Sequence, residues 1–201
     1  MKAIYRIKGW NIVGWSTIAI AVIFALILIV HGINEQSMRM AIRLTARTSC
    51  VLFLLAFCAS SLRRFKSNPL TQWLLRNRRY LGVSMAVSHG FHAIAIIGVA
   101  MLSTGEITAD NHGGNLGYLF IIAMTITSFR RPASLLGDRN WQILHTVGMY
   151  YLWLAFTVSF SERLNESMFI YPLFVSLLII AIALRLIVPI VSRKSRVDLH
   201  N

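Results

Sequence analysis

Residues 80–101 read YLGVSMAVSHGFHAIAIIGVAM, twenty-two positions without a single Lys, Arg, Asp or Glu. A helix needs about 20 mostly apolar residues to cross the hydrocarbon of a bilayer. This stretch has that length, begins just after the charged pair Arg78-Arg79, and carries two histidines where a lipid-facing helix carries none. It is read as a membrane span with a functional site in it. The rest of the chain repeats the pattern. Runs at about 11–32, 41–62, 114–129, 141–161 and 167–191 also qualify, with a longer reading of 80–103 for the stretch quoted, so six spans are expected.

The composition agrees. Of 201 residues, 56% are hydrophobic and 13% charged, against about 25% charged in a soluble domain whose surface must face water. The net charge of +13 does not point to nucleic acid. A nucleic-acid-binding domain clusters its cations on a soluble face, whereas here they sit in short blocks between apolar runs. Lys2, Arg6 and Lys8 precede the first run. Arg63, Arg64, Lys66, Arg76, Arg78 and Arg79 separate the second and third. Arg130, Arg131 and Arg139 separate the fourth and fifth, and Arg193, Lys194 and Arg196 follow the sixth. Those are 15 of the 20 basic residues. The alternate segments hold Arg39, Arg43 and Arg163 beside Glu35, Glu106, Asp110, Glu162 and Glu166. Basic loops stay in the cytoplasm, so both termini are expected there. The expectation is an all-α membrane protein, a six-transmembrane-helix bundle forming one domain over 1–201.

Several chemistries are disfavoured. No GxGxxG follows a strand pattern, so no flavin or nicotinamide domain is expected in this chain. The first apolar run is longer than a signal-peptide core and lacks a small-x-small cleavage pattern, so it reads as a retained span. Cys50 and Cys58, eight residues apart in one run, are too distant on a helix for a disulfide and read as buried apolar residues. All seven acidic residues lie outside the spans, which disfavours proton- or cation-coupled transport.

Ionisable residues within spans are costly and are functional candidates by default. His89, His92 and His145 qualify, while His31, His112 and His200 fall at span ends, in a loop and in the tail. His89 and His92, three residues apart, share one side of their helix. Two imidazoles on separate helices can hold a haem between them, since two axial histidines suit a b-type haem. Histidines that only hydrogen-bond across helices are the plainer reading of the same spacing. Gly90 and Gly148 offer gaps for a porphyrin plane. Arg47, with Thr45, Thr48 and Ser49, forms a polar stripe suited to a propionate. Arg185 is expected to snorkel to a headgroup, and Trp10, Trp73, Trp141, Tyr80 and Tyr171 to anchor at the interface.

The order Thr127-Ser128, Leu136-Gly137, Trp141 and Leu144-His145 resembles the connection between the fourth and fifth helices of ferric reductase-like transmembrane domains. Arg78-Arg79-Tyr80-Leu81-Gly82, followed ten residues later by His92, is similar to their third helix. The resemblance covers about 41–162 and is closest to the haem-binding membrane subunit of periplasmic methionine sulfoxide reductases. It implies a b-type haem in a four-helix core, helices 2 to 5, with His92 and His145 at ligand positions. It also implies an oxidoreductase or an electron-transfer subunit of one. Electrons would pass across the bacterial inner membrane from quinol, a cytoplasmic flavoprotein or another redox partner to a periplasmic acceptor. Quinone is a second cofactor candidate, flavin enters only through a partner, and an oligomer is compatible. Two family positions depart from the pattern: Val158 stands where the fifth helix often carries a second histidine, and Arg79 where two-haem members carry one on the third. One haem is therefore expected, as in the single-haem STEAP proteins, with His145 on one side and His89 or His92 on the other. Counted from Arg79 and Arg139, His89 is the nearer in depth and His92 the better family match. The competing classes are a haem-free transporter and an assembly or scaffold subunit.

Overall fold

The computed structural model describes residues 7–103 and 112–197. The described residues are helical, with seven α-helices and no strand among them. In chain order these are α1 (Trp10–His31), α2 (Glu35–Phe65), α3 (Pro69–Leu102), α4 (His112–Ile126), α5 (Arg130–Leu136), α6 (Asp138–Ser161) and α7 (Ile170–Val197). Five of them, α1, α2, α3, α6 and α7, are long and apolar enough to cross a membrane. The sixth expected span is a 15-residue helix, α4, short of the length a crossing needs.

The helix ends follow from local chemistry. Asn34 starts α2 with its side chain accepting from Ser37 N at 2.9 Å, and Ser37 Oγ accepts from Asn34 N in return. Asn68 and Thr71 repeat this reciprocal cap at the start of α3, with Pro69 at the first helical position. Such caps are worth about 1 kcal/mol each. They let a connection of only three residues, Lys66–Asn68, turn α2 back along α3. The apolar run expected to continue to 129 stops at Ile126, where Ser128 N and Phe129 N bond back to Thr125 O and Ile126 O. The connection to α6 then contains a helix the periodicity did not reveal, α5. It ends at Gly137, whose φ of 76° is a conformation that side-chain-bearing residues avoid.

Contacts run from α2 to α3, α3 to α4, α4 to α6, α6 to α7 and α7 back to α2. Five helices thus close a ring, with α1 packed outside it on α3 and α2. Ser16 Oγ of α1 and Ser84 Oγ of α3 are hydrogen-bonded at 2.9 Å, and Asn77 Oδ1 of α3 accepts from Gly9 N at 3.0 Å. Within the ring, Phe53, Phe57, Met85, Leu152, Phe156 and Leu178 belong to one buried cluster. Outside it, Ile29, Ile97, Leu119 and Ile179 stay exposed. Each such side chain forgoes about 1.5–3 kcal/mol if left in water. A lipid surround removes that penalty, so this is a multi-pass membrane protein. Cys50 and Cys58 are buried free thiols, as their spacing implied.

Candidate functional site

A half-open cavity of about 670 Å³ lies among the ring helices, at the end of the bundle that carries the arginines of α3. All five ring helices line it. From α3 come Arg76, Arg78, Arg79, Gly82 and Met85; from α4, Ile121, Met124 and Thr125, with Ser128 just past its end. Trp141, Gln142, His145, Thr146, Met149 and Leu152 come from α6, Phe53 and Ala56 from α2, and Arg185 from α7. The volume lies within the range of small-molecule and cofactor pockets. Its walls combine an apolar floor, four guanidiniums and one imidazole.

That imidazole is fixed from two directions. Trp141 stacks on the His145 ring with centroids 4.3 Å apart, and its own Nε1–H is anchored on Thr127 O at 2.9 Å. Thr127 Oγ1 donates to Ala123 O at 2.7 Å, so its single proton is committed. Its 3.1 Å contact with His145 Nε2 is therefore an N–H donated by the imidazole. A neutral imidazole has one donor and one acceptor nitrogen. His145 is thereby left with the lone pair on Nδ1.

Arg185 does not snorkel. Its Nη1 donates to Phe57 O at 3.0 Å and its Nε to Tyr150 Oη at 3.3 Å. The guanidinium lies 4.4 Å from the Phe57 ring centroid and 5.1 Å from that of Tyr150. Neutral oxygens and aromatic faces hold the cation within the bundle, where solvent at the headgroups is not needed to satisfy it.

His89, His92 and Arg47 lie together elsewhere. His92 Nδ1 is within 3.2 Å of Ile42 O and 3.0 Å of Thr45 Oγ1. A carbonyl can only accept, so Nδ1 carries the proton and Nε2 the lone pair. The His89 ring is 5.2 Å from His92, 5.5 Å from Tyr118 and 5.7 Å from Phe156. Among the described residues, the buried side-chain polar atoms without a partner are Arg47 Nε, Ser49 Oγ, His89 Nδ1 and Tyr118 Oη. Ser49 is one turn from Thr45, and Arg47 lies between them in sequence, 5.5 Å from the Tyr171 ring centroid.

His145 does not join this group. Phe156, which touches His89, lies eleven residues further along α6 than His145, about 16 Å of helical rise. Two nitrogens that share one iron must come within a few ångströms of each other. The positions of His145 and the His89–His92 pair therefore do not provide the two sides of a single haem. The depth count from Arg79 and Arg139 failed because these arginines are not level. Arg79 lies against Phe129, 5.7 Å from its ring, near the depth of Thr127 and His145.

Other expectations also change. Gly148 leaves no gap, because Met124 Sδ and Phe120 occupy the space a Cβ would take. Gly90 is exposed rather than turned inward. The position that opens the cavity is Gly82, with no atom within 4 Å of where its Cβ would stand. Val158 is 47% exposed, so that position faces away from the interior. Trp141 is occupied with His145, and Tyr171 is buried in the core at 4% exposure rather than sitting at an interface. His31 is exposed; the side chain of His112 and all of His200 lie outside the described residues.

No family model, curated protein or solved structure matches the chain.

Proposed function

We propose that the protein is a haem b-binding electron-transfer subunit of the bacterial inner membrane, with its haem in the arginine-lined cavity and His145 as an axial ligand. The observation that carries the reading is the His145 imidazole. Its Nε2 is engaged by Thr127 Oγ1 at 3.1 Å, and the residue lines a cavity of about 670 Å³. Metal-binding histidines commonly donate their second nitrogen to a fixed acceptor in this way. The cavity residues fit the group in three respects. The floor of Phe53, Ile121 and Leu152 suits the macrocycle, Gly82 leaves room for its plane, and Arg76, Arg78, Arg79 and Arg185 suit its two carboxylates. Haem would supply one-electron redox chemistry there. The chain's own residues bind and orient: guanidiniums pair with carboxylates through fork geometry, Trp141 fixes the imidazole plane, and the apolar floor excludes water.

The orientation that places basic loops in the cytoplasm puts this cavity on the cytoplasmic side. Electrons from quinol or a cytoplasmic flavoprotein would enter there and leave toward a periplasmic acceptor. The ligand set departs from the resemblance, which pairs histidines of two helices.

A second reading is favoured by one observation: among the described residues no carboxylate lines the cavity to balance its four guanidiniums. A phosphate-bearing amphiphile would answer that charge equally well. Optical spectra of detergent-purified protein, oxidised and reduced, separate the two. The haem reading expects a b-type reduced spectrum that disappears in His145→Ala and survives in His89→Ala and His92→Ala. Protein from haem-replete cells that has no Soret band, yet retains lipid phosphate through purification, would replace it with the amphiphile reading.

A further inference from the structure

The end of the cavity away from the arginines of α3 is lined by Phe53 of α2, Met85 of α3, Ile121 of α4 and Leu152 of α6. Residues three or four apart on a helix share a face. One turn further from the arginines, the same four faces therefore present Ser49, His89, Tyr118 and Phe156. The contacts agree with that register. The His89 ring lies 5.5 Å from Tyr118 and 5.7 Å from Phe156, and Phe156 lies 5.3 Å from Phe53. Ser88 Oγ, beside His89 in sequence, donates to Thr45 O at 3.2 Å, one turn of α2 from Ser49. A polar layer thus follows the apolar one inside the ring.

Among the described residues, three of the buried side-chain polar atoms without a partner belong to this layer: Ser49 Oγ, His89 Nδ1 and Tyr118 Oη. Arg47 Nε is the other such atom. It comes from the same stretch of α2, with its guanidinium 5.5 Å from the ring centroid of Tyr171 on α7. Buried polar groups in native proteins nearly always have a partner, so orphans gathered in one part of the fold point to a shared one. Their chemistry selects its charge. A guanidinium only donates, hydroxyls donate, and a neutral imidazole donates from Nδ1 when its proton sits there. A cation would meet Arg47 with no carboxylate to hold it. The acidic residues among those described, Glu35, Asp138, Glu162 and Glu166, lie at helix ends or in connections. Glu166 accepts from Tyr171 Oη at 3.1 Å but is exposed and paired with Arg163 at 3.7 Å. An uncharged ligand would leave the Arg47 charge unanswered.

We propose that this layer is a binding site for one small monovalent anion of the halide class. The anion takes hydrogen bonds from Ser49, Tyr118 and His89, with the Arg47 guanidinium as its countercharge. Phe53, Met85, Ile121 and Leu152 separate it from the arginine-lined cavity, so the site does not depend on what that cavity holds. By the charge-based orientation it lies in the outer half of the bundle.

The test uses the full-length protein in detergent, with bromide as the probe. Crystals grown in sodium bromide should show an anomalous peak among Ser49, His89 and Tyr118. At equal ionic strength, which holds screening constant, bromide in place of gluconate should raise the melting temperature in a concentration-dependent way, as a ligand of the native state does. Ser49→Ala and Tyr118→Phe each remove one hydroxyl with little change of shape. Each should weaken the bromide affinity read from that dependence by about tenfold, the scale of a hydrogen bond to a charged group. Arg185→Met, in the other cavity, should leave it unchanged. No anomalous peak in the layer, or equal melting temperatures in bromide and gluconate, would overturn the site. So would an affinity kept in Ser49→Ala and Tyr118→Phe but lost in Arg185→Met, since the anion would then sit among the cavity arginines. None of these readouts requires bound haem, so failure here and failure of the haem reading are told apart.

Discussion

Thr127 contributes nothing to the cavity by volume, yet its hydroxyl decides which nitrogen of His145 is available. The substitution that isolates this role is Thr127→Val, which keeps the β-branched shape and removes the oxygen. In the ligand-free protein the imidazole can then change tautomer and recover some other partner. With Nδ1 committed to iron it cannot, because Nε2 must carry the proton, so the penalty falls on the bound state. A half-buried donor left without an acceptor costs about 1–3 kcal/mol. At about 1.4 kcal/mol per decade this is about a 5-fold to 150-fold loss of haem affinity, which spans the range seen for lost supporting bonds to metal ligands. The assay is titration of haem into the apoprotein in detergent, followed at the Soret band, for wild type, Thr127→Val and Thr127→Ser. Serine keeps the hydroxyl and should retain most of the affinity. Equal affinities for wild type and Thr127→Val would refute the reasoning that the 3.1 Å contact sets the tautomer.

Three other outcomes follow from the same geometry. Arg185→Met should fold, because Phe57 and Tyr150 still pack, but haem affinity should fall about tenfold or more, the scale of a lost charged hydrogen bond; parallel titrations of haem and its dimethyl ester would locate the loss at the carboxylates. Gly148→Ala should lower thermal stability by about 1–3 kcal/mol through overpacking against Met124 and Phe120, and Met124→Ala in the same protein should recover part of it; equal melting temperatures for wild type and Gly148→Ala would count against the close approach of α4 and α6. Cysteines introduced at the exposed positions Ser67 and Asn165 of a Cys50→Ala/Cys58→Ala protein should label with a membrane-impermeant maleimide from opposite faces, Ser67→Cys from the cytoplasm and Asn165→Cys from outside. Labelling of both from one face would contradict the orientation drawn from the charges.

The membrane class and five of the spans were legible in the sequence because each depends on a local quantity, the length of an apolar run between charged blocks. The sixth was mismeasured at 114–129 because hydropathy cannot register that the backbone turns after Ile126. Of the site, His145 stood out because an imidazole in an apolar run is rare. Its partner Thr127, eighteen residues earlier, gave no sign of its role, since a threonine in a span commonly bonds its own helix, and Thr127 does that as well. Met85 and Gly82 were invisible, one an apolar residue among many and the other a glycine no different in sequence from Gly90. Arg185 was misjudged because snorkelling is the default for a lone cation near a span end, and its actual partners, Phe57 and Tyr150, lie on two other helices. Depth across helices was the largest loss: the sequence orders residues within a helix but carries no common origin between α3 and α6.

The position of Arg185 also bears on how the molecule is made. A cation within a span raises the cost of inserting that helix, by as much as about 2.5–3.5 kcal/mol at the centre, and α7 emerges after the other four ring helices during synthesis. The groups that hold its guanidinium, Phe57 O on α2 and Tyr150 Oη on α6, belong to segments translated earlier. Those two helices are also the neighbours that α7 must join to complete the ring. Biogenesis then has an order: the cavity does not exist until α7 has left the ribosome and docked, and loading of any cofactor follows that step.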